Sequence, residues 1–169
     1  MGIIAAKNVI AGSGTGDPLR NPGAPVAGAD EVQTITGAAT GGTGALTFNG
    51  QSTAALAATA SAATIQAALV GLSSIGAGNV VCAGGPLGTA GVTVTFQGAL
   101  ANAPQSLITV GAGFTGGAVT VAETTPGTTA TFAGIAAVGA LMIDTTNAIL
   151  YQNTGTQAAP VWTKVGTET

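Results

Sequence analysis

The groups that could do chemistry in this chain are few: the carboxylates Asp17, Asp30, Glu31, Glu123, Asp144 and Glu168, the thiol of Cys82, and no histidine at all. General acid–base catalysis needs a positioned pair with separated pKa values, and a metal site needs clustered ligands. Asp30 and Glu31 are adjacent, and in a strand they point to opposite faces. Cys82 has no histidine partner and sits in a strand-like apolar run, which favours a small buried hydrophobe over a reactive thiol. As the only cysteine it cannot close an internal disulfide. The expectation is a protein that is not an enzyme and carries no cofactor and no metal. The Gly12-Ser13-Gly14-Thr15-Gly16 run superficially resembles a phosphate loop but lacks the GK[ST] ending and a preceding buried strand. Lys7, Arg20 and Lys164 are the only basic side chains, too few for a nucleic-acid footprint.

Two aromatic residues invite a binding role. Tyr151 and Trp162 could stack on sugar rings, as exposed aromatics do in β-rich lectins. Both stand among alternating strand residues, which favours an interfacial core instead.

The elements that must position these groups are mostly strands. Only 5% of the 169 residues are charged, against about 25% in ordinary soluble domains. From Val32 to Ala122 there is no Asp, Glu, Lys, Arg or His. Such a surface lacks the repulsion that keeps proteins apart, and suits a molecule packed against its own copies or a larger assembly. Much of the 46% hydrophobic fraction is alanine, with 4% aromatics, so association is expected to supply part of the burial. Mean hydropathy is +0.54, yet no window of about 20 residues is free of Gly, Thr, Ser, Gln and Asn, so no spanning helix is expected. Lys7 interrupts the first apolar run, and Ala6 stands where a myristoylation motif wants Ser or Thr. Synthesis in a cytoplasm is the expectation.

Three regions follow in order. Residues 1–29 are rich in Gly and Pro, with Ile3, Ile4, Val9 and Ile10 as the apolar handles. They read as an extended arm that pairs with a neighbouring subunit or docking surface, or else as plain disorder. Residues 30–125 read as a β-rich module. Val32 to Thr36 is strand-like, Gly37 to Gly44 a glycine-rich turn, and Leu46 and Phe48 lead into an Asn49-Gly50 hairpin signal with Ser52 to Leu56 returning. Ser61 to Leu72 has the one helical rhythm, with Ile65, Leu69 and Leu72 on a stripe, Ala62 and Ala68 beside it, and Ser61 able to cap. Asn79 to Cys82, Val92 to Phe96, Leu107 to Val110 and Val119 to Val121 are further strands. TGGTGALTF and TGGAVTV, beginning at Thr40 and Thr115, look alike through shared hairpin chemistry.

Thr124 to Gly127 reads as a linker, after which aromatics and charges return. In residues 126–169, Leu141 and Ile143 alternate, Asp144 to Asn147 turns, Ile149 to Gln152 runs back, Asn153 to Thr156 turns again, and Val161 to Val165 is a last strand. So few short strands cannot bury Leu141, Ile143, Ile149, Tyr151 and Trp162 alone, though they could around a three-fold axis. The fold class is mainly β (α+β), with one short helix laid on a sheet and a small β-stranded C-terminal oligomerisation module.

Two stretches carry a resemblance. Glu31 to Pro104 resembles a module of tailed-bacteriophage virion proteins in which hairpins precede a T-x-Q-A-A-L helix and an I-G-x-G-N-V turn, matched here by the helix around Ile65 to Leu69 and by Ile75 to Val80. The ending is similar to C-termini of phage head-decoration and fibre proteins with D-x-T-N, L-Y-x-N-T-G-T and P-x-W-x-x-V patterns, matched by Asp144 to Asn147, Leu150 to Thr156 and Pro160 to Val165. The resemblance implies a structural virion protein: a capsid decoration protein or head fibre, a homotrimer bound to the major capsid protein on the outer capsid surface, stabilising the shell. The expected trimer interface is Leu141, Ile143, Ile149, Tyr151, Trp162 and Val165; the expected capsid-docking arm uses Ile3, Ile4, Val9 and Ile10. No nucleic acid and no membrane are expected as partners. The alternative is a tail or fibre-type receptor- or glycan-binding protein.

Overall fold

Val92, Val94 and Phe96 are fully buried while Thr93 and Thr95 between them are not, the period-two signature of a strand with one face on a core. A computed structural model of the chain describes residues 20, 21, 23–88 and 90–166. In chain order the strands before the helix are β1 (Arg20–Asn21), β2 (Val32–Gly37), β3 (Gly41–Gly44), β4 (Leu46–Phe48), β5 (Gln51–Ser52) and β6 (Leu56–Ala57). The helix α1 (Ala62–Val70) is followed by β7 (Val80–Gly84), β8 (Val92–Phe96), β9 (Thr109–Val110), β10 (Phe114–Thr115) and β11 (Val119–Thr125). The last three are β12 (Leu141–Asp144), β13 (Ile149–Asn153) and β14 (Trp162–Lys164). The protein is mostly β with a short helix, as expected.

The chain divides into two units. The larger, Ala29–Thr128, is continuous; the smaller joins Met1–Gly28 to Thr129–Thr169. The stretch expected to link two modules therefore ends the larger unit, with β11 running to Thr125. Within that unit Ala29 and Thr128 exchange two backbone hydrogen bonds of 3.0 Å, so the two ends of the unit lie side by side.

In the larger unit an antiparallel sheet runs β11-β2-β8-β7. Its inner face and the α1 stripe share one core, in which Ile35, Phe48, Ile65, Leu69, Val94 and Phe96 are all fully buried. The Phe48 and Phe96 rings lie 5.4 Å apart at 32°. Ser61 caps α1, its Oγ accepting from Thr64 N at 3.2 Å. The helix stops at Val70 with Gly71 as its C-cap, two residues short of the expected Leu72, which still packs into the core through a following turn. The Asn49-Gly50 turn is present, with φ of 47° and 78° that match the left-handed geometry an Asn-Gly hairpin favours.

Two local expectations change. Gly41 to Gly44 is a strand, not a turn: β3 lies between β10 and β6. Glycine is needed there for close approach, since a Cβ at Gly44 would collide with the Phe114 ring. The two look-alike stretches thus meet as partners, Thr115 opposite Gly41. The return strand after Asn49-Gly50 also breaks early. Thr53 Oγ1 accepts from Leu46 N at 3.1 Å, substituting a side chain for the ladder, and Leu56–Ala57 leaves to pair with β3.

The smaller unit is one sheet in the order β1-β12-β13-β14. Strands β12 to β14 are antiparallel neighbours, and β1 pairs parallel to β12, Arg20 opposite Ile143. The last residues of the expected arm belong to this unit: Val26 also exchanges hydrogen bonds with Thr131. Ile3, Ile4, Val9 and Ile10 lie outside the described residues.

Candidate functional site

Cross-strand register decides what the smaller sheet presents, because residues directly opposite share a face. Met142 opposes Tyr151, Asp144 opposes Ile149, and Asn153 opposes Trp162. That face turns inward: Met142, Asp144, Tyr151 and Asn153 are buried, and Tyr151 keeps only 6% of its surface. Leu141 opposes Gln152, Ile143 opposes Leu150, and Gln152 opposes Thr163. Hydrogen bonds from Val165 N to Leu150 O (2.9 Å) and from Thr154 N to Val161 O (2.8 Å) extend the ladder beyond β14 at both ends, placing Val161 and Val165 on this second face. It turns outward, with Ile143 51%, Val161 57% and Val165 47% exposed.

The six expected interface residues are therefore split between two faces. Leu141, Ile143 and Val165 are on the outer face; Ile149, Tyr151 and Trp162 are on the inner. Trp162 is held within its own unit, its Nε1 donating to Thr131 O at 2.8 Å and its ring meeting Phe132 edge-on at 6.1 Å. The outer face gains Leu150 and Val161, which the sequence reading passed over. Their signal was the register itself: in a strand, Leu150 must face opposite to Tyr151.

The polar residues of the C-terminal patterns are consumed inside the unit. Asn153 is 1% exposed and has all its capacity filled: Nδ2 donates to Ala136 O (2.8 Å) and Ala137 O (3.2 Å), while Oδ1 accepts from Gly155 N and Val161 N, both 2.9 Å. Gly155 lies tight against the chain after the turn, and a Cβ there would meet Val161 N at 2.6 Å. Asp144 holds its own turn, Oδ2 accepting from Asn147 Nδ2 (2.8 Å) and Oδ1 from Thr146 N (2.9 Å) and Asn147 N (3.1 Å). The Asn147 amide, more than the backbone donors, keeps the Asp144 carboxyl below its ordinary value of 3.8. The carboxylate is covered by its own turn and is not sunk in a deep core.

Two carboxylates of the larger unit are fasteners too. Asp30 Oδ1 accepts from Asn102 N at 2.9 Å. Glu31, 2% exposed, accepts from Gln105 N and Gln33 Nε2, each at 2.6 Å, and Gln33 Oε1 accepts from Ile108 N at 2.8 Å. Adjacent in sequence, Asp30 and Glu31 both pin the segment after β8 to the start of β2. Glu123 is exposed on β11. Burial pushes the Cys82 thiol up to about 12, so it stays protonated at neutral pH. Among the described residues no cluster of His, Cys, Asp and Glu could hold a metal ion, and no helix is long and apolar enough to cross a membrane.

The described residues line open grooves on the surface, and two bear on the site. One, of 630 Å³, is lined by residues 147–150 and 163–166, with Lys164 its single charge. The other, of 380 Å³, is lined by glycine and apolar residues of 110–114 and 117–119. Neither assembles an acid, a base and a nucleophile.

The outer face of the smaller sheet thus presents Leu141, Ile143, Leu150, Val161 and Val165 beside Gln152 and Thr163, with Arg20 of β1 in register with Ile143 at its edge. The chain is similar to no family model, no curated protein and no solved structure.

Proposed function

We propose that this chain is a structural virion protein of a tailed bacteriophage, a homotrimer that decorates the outside of the capsid, binds the major capsid protein and stabilises the shell. The observation that carries the assembly part is the outer face of the smaller sheet. Among the described residues, six of the eight large hydrophobics left exposed, Val26, Ile135, Val138, Ile143, Val161 and Val165, belong to that unit. Leu141, Leu150 and the three exposed residues of the sheet form one largely apolar face, bordered by β1, that a like copy can cover. In this reading the trimer contact runs through Leu141, Ile143 and Val165 with Leu150 and Val161, while Ile149, Tyr151 and Trp162 support the sheet from behind.

The capsid part rests on the resemblance of the sequence patterns and on a charge-poor surface suited to permanent packing. The larger unit and the arm residues Ile3, Ile4, Val9 and Ile10 lie on capsomers, and repetition over many copies turns weak contacts into firm attachment. No catalytic step and no cofactor enter this role. Burial of Tyr151 also favours it over a glycan-gripping fibre, in which the aromatic must offer an open ring face.

Native mass measurement of the full chain tests the assembly. The wild type is expected as a trimer and the double variant Ile143→Asp, Val165→Asp as a monomer with an unchanged circular dichroism spectrum. A wild type that stays monomeric at high concentration, or a variant that stays trimeric, overturns the contact. Gold-labelled antibody on virions tests the location: label over heads is expected, and label confined to tails overturns it.

A further inference from the structure

One residue pair combines two reactive groups that the fold leaves unprotected. Asn49 and Gly50 form the exposed tip between β4 and β5. Neither the Asn49 side-chain amide nor the Gly50 N–H has a hydrogen-bond partner among the described residues. Nothing lies within 4 Å of where a Gly50 Cβ would be, and no side chain of its own shields the nitrogen. The other asparagines with described side chains differ. Asn79, Asn147 and Asn153 spend their amides on hydrogen bonds. Asn102 is followed by alanine, whose Cβ crowds the nitrogen that would have to attack.

We propose that Asn49 is a spontaneous deamidation site. The Gly50 nitrogen, losing its proton, bonds to Asn49 Cγ; the Cγ–Nδ2 bond breaks and ammonia leaves. Water then opens the resulting succinimide at either carbonyl, giving aspartate or isoaspartate and releasing a proton. No oxidant or reductant is needed. The product places a carboxylate inside a run, Val32 to Ala122, that otherwise has no Asp, Glu, Lys, Arg or His.

The isoaspartyl product also lengthens the backbone of a two-residue turn whose flanks are tied down. Gln51 Oε1 accepts from Ser74 N at 2.8 Å, Gln51 Nε2 donates to Ser73 Oγ at 2.6 Å, and Ser74 Oγ donates to Phe48 O at 3.3 Å. An added backbone atom shifts Gln51 against Phe48 and loosens this clamp at the end of the helical segment. Ageing of the residue thus changes both the charge of the tip and its attachment.

The test is incubation of the full chain in warm, mildly alkaline buffer, followed by peptide mapping for the mass rise of an amide-to-acid exchange. Asn49 is expected to convert at least roughly tenfold faster than Asn102, a barrier difference of about 1.4 kcal/mol. The isoaspartyl fraction should show faster hydrogen exchange at Ser74 N–H, and an Asn49→Asp variant, which adds charge without lengthening the turn, should not. Conversion of Asn49 no faster than Asn102, or an Asn49 that is stable in the folded chain but converts in urea, overturns the site. Equal exchange at Ser74 in the variant overturns the lengthening argument.

Discussion

The two units solve the same problem, a β-sheet with an apolar face, in opposite ways. The larger covers its sheet with α1 and short strands, closing a core with two phenylalanines at its centre. Among its described residues it leaves only Val81 and Leu107 of the large hydrophobics exposed. The smaller buries Met142, Tyr151 and a few alanines behind one sheet and leaves apolar side chains on the other face. The lesson is that burial within the chain covers the large hydrophobics of one unit far more completely than those of the other. In the proposed trimer the outer face of the smaller sheet gains a second cover, and the larger unit has no comparable face to offer.

The sharpest way to break this contrast is to open each core in turn. Phe96→Ala is expected to cost the larger unit about 3 to 5 kcal/mol, as truncation of a fully buried aromatic does. Trp162, the only tryptophan, lies in the smaller unit. Its emission in a denaturant titration should therefore keep its midpoint while far-ultraviolet ellipticity loses stability; a Trp162 midpoint that falls equally would show that the units share one transition. Asn153→Ala is the counterpart. Removing a side chain with both donors and both acceptor bonds filled leaves its backbone partners unpaired, at about 1 to 3 kcal/mol for a buried one such as Ala136 O. Red-shifted Trp162 emission with the larger unit's ellipticity retained is the expected outcome.

Acid should act on the smaller unit more gently. Because the folded Asp144 carboxyl titrates below its ordinary 3.8, the unfolded chain binds its proton first as pH falls. Its contribution is complete above that value and is lost as pH falls through the lower folded one. Thermal melts across this range should show a slope that Asp144→Asn flattens; an unchanged slope removes the turn from the acid response. The smallest effect comes from Ala148, held at φ 56° after the same turn. An alanine in left-handed geometry costs about 1 kcal/mol, so Ala148→Gly is expected to raise the melting temperature slightly despite its added freedom when unfolded. A lowered one would mean that the methyl group packs usefully.

How legible each unit was in the sequence follows the same contrast. In the larger, Val92, Val94 and Phe96 alternate with threonine, Ser61 opens a capped helix, and Asn49-Gly50 marks a hairpin, so local chemistry names the element and its buried side. In the smaller, Leu141-Met142-Ile143 and Ile149-Leu150-Tyr151 are unbroken apolar runs. Period two cannot choose a face there, and what separates Tyr151 from Leu150 is the packing behind the sheet, where Tyr151 is buried on the face it shares with Met142. Gly41 to Gly44 carried no side-chain pattern at all, so a strand built for close approach looked like a turn. The roles of Asp30 and Glu31 were hidden for another reason: their partners Asn102 and Gln105 lie more than 70 positions away. The same holds for β1, two residues long and paired with a strand near the other end of the sequence.

The paired ends of the larger unit have a genetic consequence. Because Ala29 and Thr128 are bonded side by side, everything between them leaves and rejoins the chain at a single doorway. A recombination event that swaps one such cassette for another has only that doorway to match. The sequence that forms the smaller sheet, though split by the insert, is left untouched by the exchange. Comparing substitution rates inside and outside residues 29–128 across variants of this chain would reveal the seam.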